Sequence, residues 1–357
     1  MLVYITDKEF NVKYIIDYYK SVIWNTKLSE LSDFEIYLPV LDDTILNNIK
    51  PNFFVWIDKY PTDVRVIEKI DISYNISDGF MLTISGYDSR CLLKRRVFKN
   101  MVYGTYNVSD VIWIALYYNV VNPTDDVRKI NCIELNTFGS TNKSITVKYF
   151  GENIFDTIKE LTSDLGYGFC FQFDTETKKF NFYYIEGLDR SSTQNTNDIV
   201  TFSMKLGNLL EYSMQQDNSD FKNVAYIYGE DFDTSRTRVQ SGDNNASDLD
   251  RFETSINASE VSKSVDSNIV LTQTEYEKIL TNNGNDYLTN FIKKYEFDCK
   301  VYADVYKFRT DYNVGDTIDV TINYEINGSN SIKGRVKEVT ESWSDTGYEC
   351  LPIIDFS

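Results

Sequence analysis

Adjacent carboxylates stand at Asp42-Asp43, Asp125-Asp126 and Glu230-Asp231. This is the residue type that a glycosidase uses as acid and base when two carboxyl groups lie ~5 to 9.5 Å apart. In a chain with 54 acidic residues such neighbours arise by chance, so the solvated-surface reading is preferred. Asp243-Asn-Asn245-Ala-Ser247-Asp248 has the oxygen-rich alternation of a calcium loop. Asp248 stands where such a loop needs glycine and Thr254 where it needs glutamate, which favours a solvated loop. Lys94-Arg95-Arg96 with Lys99 offers positive charge for a phosphate, but no glycine-rich loop accompanies it. The planar guanidinium fork fits carboxylates of a neighbouring domain or subunit better. Tyr18-Tyr19, Tyr117-Tyr118 and Tyr183-Tyr184 suit either sugar stacking or, as preferred, core and subunit packing.

The chain contains no histidine, which removes the commonest general base, metal ligand and pH switch together. Neither a Ser-His-Asp nor a Cys-His nucleophile can be built. A non-enzymatic protein without cofactor is expected. Cys91, Cys132, Cys170, Cys299 and Cys350 are odd in number and never spaced C-x-x-C, so they read as free thiols in a reducing compartment. A net charge of −18 repels phosphate backbones and anionic lipid, so no specific nucleic-acid binding is expected. Residues 1–10 lack a secretion signal. The most apolar run, 111–121, is shorter than the ~20 residues of a membrane span, so synthesis in the cytosol is expected.

The elements around these residues read as mainly β. Tyrosine (27) and phenylalanine (22) are abundant, and both favour half-buried strands and protein contacts. Strands are predicted at 2–6, 34–40, 53–58, 64–74 and 80–87, with turns at Asp42-Asp43, Lys59-Tyr60-Pro61 and Ser77-Asp78-Gly79. Ile154, Phe155, Ile158, Leu161 and Leu165 recur at helical spacing before Gly166, and a second short helix is predicted from Ser109 to about Asn119. A hairpin follows at 167–173 and 179–185, then a polar loop at 190–198. The clearest later strand is 224–229, and 233–260 reads as an exposed polar excursion. Thr272-Gln-Thr-Glu275 has the spacing of a capping box, and Asn282-Asn283-Gly284 is expected to break the helix behind it. Strands resume at 317–324, 333–341 and 348–354. An internal echo pairs Arg65-Val66-Ile67-Glu68, Tyr74 and Ser77-Asp78-Gly79 with Arg335-Val336-Lys337-Glu338, Trp343 and Ser344-Asp345-Thr346-Gly347. Two similar small β-domains with inserted material would produce it.

Gly86-Tyr-Asp-Ser-Arg90-Cys-Leu-Leu-Lys-Arg-Arg96, directly after a β-rich N-terminal region, resembles the end of the first domain in tail hub (tail-tip, baseplate hub) proteins of long-tailed phages, siphophage type. Asp311-Tyr-Asn-Val-Gly-Asp316-Thr-Ile-Asp-Val320 with Arg335-Val336 is similar to the turn of their closing barrel. Gly207-Asn-Leu-Leu-Glu-Tyr-Ser213, with Asn223-Val224 and Gly229, matches the stretch between barrels. The resemblance implies two tube-like β-barrel domains, 1–100 and 199–232 with 294–357, an inserted α+β domain at 101–198 and a polar, helical insertion at 233–293. It further implies a homotrimeric ring in the virion tail tip, adapting the sixfold tube to the threefold tip. Its implied partners are the distal tail or tail tube protein, the tape-measure protein and other tip or baseplate proteins. Arg90, Arg95, Arg96, Gly315, Asp316 and Arg335 take structural or interface roles in this reading, with Arg95 or Arg96 near a domain junction. Many hubs carry a downstream peptidoglycan hydrolase, whereas this sequence stops at Ser357 after its last strand, so wall-degrading activity is expected on a separate polypeptide. The alternative is a host-surface carbohydrate-binding or adhesin module.

Overall fold

The computed structural model describes residues 1–41, 44–136, 139–230, 235–264, 270–302, 304–324 and 328–356; Asp42-Asp43 and Asp231 lie outside them. The first stretch forms β1 (Val3–Thr6), β2 (Val12–Ile16), β3 (Ser21–Lys27), β4 (Asp33–Pro39), the short helix α1 (Thr44–Asn48), β5 (Phe54–Ile57), β6 (Arg65–Asn75) and β7 (Gly79–Asp88). Alternation drives it: Phe34, Ile36 and Leu38 of β4 point inward, with Leu82 and Ile84 of β7 and Trp24 of β3 in the same core.

Next come β8 (Val102–Asn107), α2 (Val108–Leu116), β9 (Ile133–Glu134), β10 (Ser144–Tyr149), α3 (Ile154–Ser163), β11 (Gly168–Asp174) and β12 (Lys179–Ile185). The predicted helix after Ser109 is α2, which continues as a π-turn over Tyr117–Val121. Asn153 caps α3 by accepting from the amides of Phe155 and Asp156, and Gly166 takes a φ of +73° just past its end. Phe155, Ile158 and Leu161 pack on Phe169, Phe180 and Phe182, and this core extends to Phe54 and Val66 of the first stretch.

The remainder comprises β13 (Thr201–Ser203), β14 (Leu209–Asp217), β15 (Val224–Tyr228), β16 (Arg238–Gly242), β17 (Glu253–Asn257), α4 (Gln273–Thr289), β18 (Lys294–Val301), β19 (Thr317–Tyr324), β20 (Gly328–Ser344) and β21 (Gly347–Asp355). One expectation is filled in here and another fails. The polar excursion contains β16 and β17, which pair with β15 on either side, so its backbone is bonded although its side chains are polar. The capping box at Thr272 and Glu275 is present, yet α4 is not broken at Gly284. A Cβ at Gly284 would stand 2.3 Å from Ser241 Oγ and 2.4 Å from Ile227 Cδ1. The glycine is there because the helix crosses the small sheet at that point.

Thirteen strands join one sheet in the order β14-β18-β21-β20-β3-β4-β7-β6-β5-β1-β2, with β19 on β20 and β13 on β19. The expected pair of tube-like β-barrels is not found as closed barrels: among the described residues the ladders form one open sheet, joined where β20 pairs β3 from Glu338↔Lys27 to Ser344↔Ser21. Within that sheet β3-β4-β7-β6-β5 and β14-β18-β21-β20-β19 follow the same connectivity. The echoed segments are the hairpins β6–β7 and β20–β21, each with a bulge, at Glu68 and at Lys337. Aligning the bulges sets Ile67 with Val336, one residue away from the register that the two Arg-Val pairs suggest.

Gly284→Ala tests the packing at α4. Helix propensity alone would gain ~1 kcal/mol, whereas overpacking costs ~1–3 kcal/mol. A net loss of about 1 kcal/mol is expected from denaturant unfolding; a stabilised variant would show that the site has room.

Candidate functional site

Most of the buried charged groups gather where the first stretch, the α+β insertion and the last stretch meet, around a cavity of about 610 Å³ lined by Asp63, Arg65, Asp88, Arg90, Arg309 and Asp316 among others. Three clusters build it.

The first lies on the β3·β20 joint. Arg65 opens β6 fully buried, its guanidinium 4.0 Å over the Trp24 ring, donating to Asp33 O at 2.6 Å and to both Asp63 oxygens at 3.1 and 3.2 Å. Trp24 Nε1 also donates to Asp63, at 2.9 Å. From the last stretch Arg309, in a left-handed conformation (φ 68°), donates to Asp63 at 2.8 Å and to Thr26 Oγ1 at 3.0 Å. Its Nε faces Glu341 Oε2 at 3.5 Å, an ion pair without hydrogen-bond geometry. Glu341 is fully buried and accepts from Tyr60 Oη at 2.7 Å and Tyr348 Oη at 2.9 Å. Two cations and two anions thus form a neutral quartet. Burial pushes the Asp63 carboxyl up, but Arg65, Arg309 and their hydrogen bonds outweigh it and hold the group well below the usual carboxylate range. Tyr60 is pushed up by burial and by the Glu341 charge.

The second cluster is centred on Arg90, in a 3-10 turn at Ser89–Arg95 that Asp88 caps. Arg90 is buried, pairs with Asp88 at 2.7 Å and donates to the carbonyls of Lys27, Leu28, Glu30 and Phe169. It ties the loop after β3 to β11. The third cluster is Asp316, which accepts from Arg190 Nε at 2.8 Å, Leu188 N at 2.7 Å and Asn313 N at 2.9 Å. Beside it Arg335 donates to Gly315 O at 2.9 Å and Glu186 O at 3.1 Å. Gly187 and Gly315 both have positive φ, and a Cβ on Gly187 would stand 1.9 Å from Gly315 O. The polar loop at 190–198 is consequently tied in, with Ser191 fully buried.

Of the residues singled out from sequence, Arg90, Gly315, Asp316 and Arg335 thus line or adjoin this junction. Arg95 and Arg96 do not join them: Arg95 pairs with Glu68 at 2.6 Å on the surface, and Arg96 donates to Arg128 O at 2.6 Å. Lys94 lies over Phe155 and Lys99 reaches Asp125 at 3.4 Å, so the basic run diverges toward four partners. Asp63, Arg309 and Glu341 were missed; Arg65 entered only through the echo. The cysteines are free thiols: Cys91, Cys299 and Cys350 buried, Cys132 and Cys170 half-buried. Chemically, every charge of the quartet is engaged by another, which makes it a structural tie between distant segments.

Arg309→Met leaves the Glu341 carboxylate buried without its cation, and a loss of ~3–5 kcal/mol is expected. Arg95→Met, at an exposed pair, should cost no more than ~1 kcal/mol. Equal losses in denaturant unfolding would remove the distinction. Because the folded Asp63 carboxyl titrates below its unfolded value, its stabilisation is complete above pH ~4 and fades as pH falls further. The stability gap between the native chain and Asp63→Asn should narrow in that window, and a gap unchanged down to pH 2 would place the carboxylate elsewhere in the energetics.

Among the described residues no helix is long and apolar enough to cross a membrane. The fold is shared with three solved tail proteins. The prophage tail protein gp18 of Listeria monocytogenes EGD-e has a TM-score of 0.55 at 11% identity, covering 100% of this chain and 94% of that one. The tail protein of Neisseria meningitidis MC58 gives 0.56 at 12%, covering 99% and 95%. The 43 kDa tail protein of prophage MuSo2 from Shewanella oneidensis gives 0.57 at 11%, covering 99% and 98%. No curated protein matches the chain. The model of the Siphovirus ReqiPepy6 Gp37-like proteins matches residues 2–354, so this mainly β chain belongs to that siphovirus family.

Proposed function

We propose that the chain is a structural tail hub protein of a phage or phage-tail-like particle, a homotrimer that adapts the sixfold tail tube to the threefold distal tip and closes or lines its channel. One observation carries the reading: two segments of one chain repeat the same strand connectivity, each with a bulged hairpin. Three such chains would present six like units to a sixfold tube. The units are 1–100 and 199–232 with 294–357, each taken as tube-like, decorated by insertions at 101–198 and 233–293. The junction described above would hold each pair of units in one relative orientation, which is what a symmetry adapter requires. Its role is non-enzymatic. Its partners are the distal tail or tube protein, the tape-measure protein and other tip proteins, and its place is the tail tip. The net charge of −18 suits a channel that DNA must pass without sticking.

A saccharide-binding module of the tip is the second reading, favoured by one surface feature. Trp113 and Tyr117 stack at 4.4 Å beside Tyr118, with Trp113 39% and Tyr118 50% exposed.

Light scattering of the purified full chain is expected to give the mass of three chains, and a glycan array to show no saccharide selectivity. A monomer at high concentration would end the hub reading; selective glycan binding abolished by Trp113→Ala would replace it with the second.

A further inference from the structure

The repeat inside the chain has a consequence at its two ends. In the second unit β20 is long: its first half pairs β19, and its second half, Glu338 to Ser344, pairs β3 of the first unit. In the first unit β6 is built the same way. Its start pairs β5, while Lys69 to Asn75 pair only β7 among the described strands. The strand that corresponds to β3 in the second unit is β14, which ends the sheet. One copy of the β3·β20 joint is therefore satisfied within the chain, and the two halves of another are left open, β14 at one end of the sheet and the second half of β6 where β5 stops short of it.

The registers make the correspondence specific. Aligning the bulges sets Lys69, Ile72 and Tyr74 with Glu338, Glu341 and Trp343. Phe34↔Gly86 and Phe297↔Ile354 then bring Asp33-Phe-Glu-Ile and Glu296-Phe-Asp-Cys into line. From there Trp24↔Phe34 and Met214↔Phe297 set β3 against β14, with Val22 on Tyr212, Trp24 on Met214 and Lys27 on Asp217. Inside the chain the four joint positions Val22, Trp24, Glu341 and Trp343 are 0, 0, 0 and 7% exposed. Their counterparts at the ends, Tyr212, Met214, Ile72 and Tyr74, are large and apolar yet 36, 51, 54 and 62% exposed. Apolar side chains lined up on exposed strand edges are what an edge-to-edge contact buries. The charges agree as well: Lys27 and Glu338, 3.6 Å apart in the internal joint, become Asp217 and Lys69 at the ends, with the signs exchanged.

We infer that β14 of one copy pairs antiparallel with the Lys69–Asn75 half of β6 of the next copy, in the register of the internal joint, so that Asp217, Met214, Ser213 and Tyr212 lie opposite Lys69, Ile72, Ser73 and Tyr74 of the neighbour. This rests on the trimer reading, to which it adds the residues of the subunit joint. The contact is head-to-tail, because two different edges meet, and such a contact closes into a ring only when its rotation divides a full turn. Lys69, which holds Asp71 in the single chain, would exchange that exposed partner for Asp217 of the neighbour.

Cysteine cross-linking of the full chain tests the register, since directly opposed Cβ atoms in an antiparallel pair stand within ~5.5 Å of each other, close to disulfide reach. In Ser73→Cys with Ser213→Cys, mild oxidation is expected to link three chains in a non-reducing gel. Each single variant should remain at one chain, which controls for the native thiols, and Ser73→Cys with Gln215→Cys should link at least ten-fold more slowly. Trimers by light scattering that link no faster than this off-register variant would overturn the joint and leave the trimer reading standing. Monomers would overturn both. Hydrogen exchange on the unmodified trimer supplies a second readout, with slowed exchange expected across 69–75 and 209–217; fast exchange at both segments in a trimer would also overturn the joint.

Discussion

Buried in the seam between β3 and β20, the Asp63, Arg65, Arg309 and Glu341 quartet is the constraint on which the arrangement of the chain depends. Removing four charges from water is expensive, and well-packed apolar residues of the same volume would often be as stable. The quartet supplies geometry instead. Trp24 lies opposite Glu341 in the ladder, and Arg309 reaches Asp63 across 246 residues of sequence only in that register. A slip of β20 by one residue would turn Glu341 to the other face and take its carboxylate away from Arg309. The planar guanidiniums extend the effect, since Arg65 rests on Trp24 and Arg309 lies 3.9 Å over the Tyr60 ring. The two halves of the sheet are thereby held in a single relation.

Arg90 and Asp316 do comparable work at the two ends of the α+β insertion. Arg90 collects carbonyls from the loop after β3 and from β11, where the insertion meets the first unit. Asp316 gathers the amide of Leu188 and the guanidinium of Arg190, where the chain leaves the insertion for the second unit. With the quartet between them, the cavity is walled in large part by charges paired with one another. Such ties resist shear between units.

Elements with a local signature were legible in the sequence. β4 alternates, α3 has helical spacing and an Asn cap, and the β11–β12 hairpin pairs aromatic strands across a polar turn. β14 was not, because the alternation of Leu210, Tyr212 and Met214 with polar residues is short and runs out in Gln-Gln-Asp. β16 and β17 escaped for a related reason: they are polar flanks of β15, held by backbone bonds that composition does not record. Gly284 reads as a breaker from propensity, whereas contact with Ser241 and Ile227 decides it. At the junction, Arg90, Gly315, Asp316 and Arg335 fell in stretches resembling a known family, while Asp63, Arg309 and Glu341 fell in none, and of their charged partners only Arg65, paired with Asp63, is near in sequence. Their meaning is set by partners from other stretches of the chain.

Two exposed apolar strand edges, on β14 and on the second half of β6, are a hazard, because unpaired strands recruit copies without limit. Common defences are charge, proline or a covering segment, and β6 and β14 do carry Lys69, Asp71, Glu211 and Asp217. Those charges are also what selects the partner. Two β14 edges would bring together like acidic ends, whereas β14 against β6 sets Asp217 on Lys69, so charge favours the head-to-tail contact over pairing of two β14 edges. The internal joint shows what such a contact becomes once made, with Val22, Trp24 and Trp343 withdrawn from water and the quartet seated behind them.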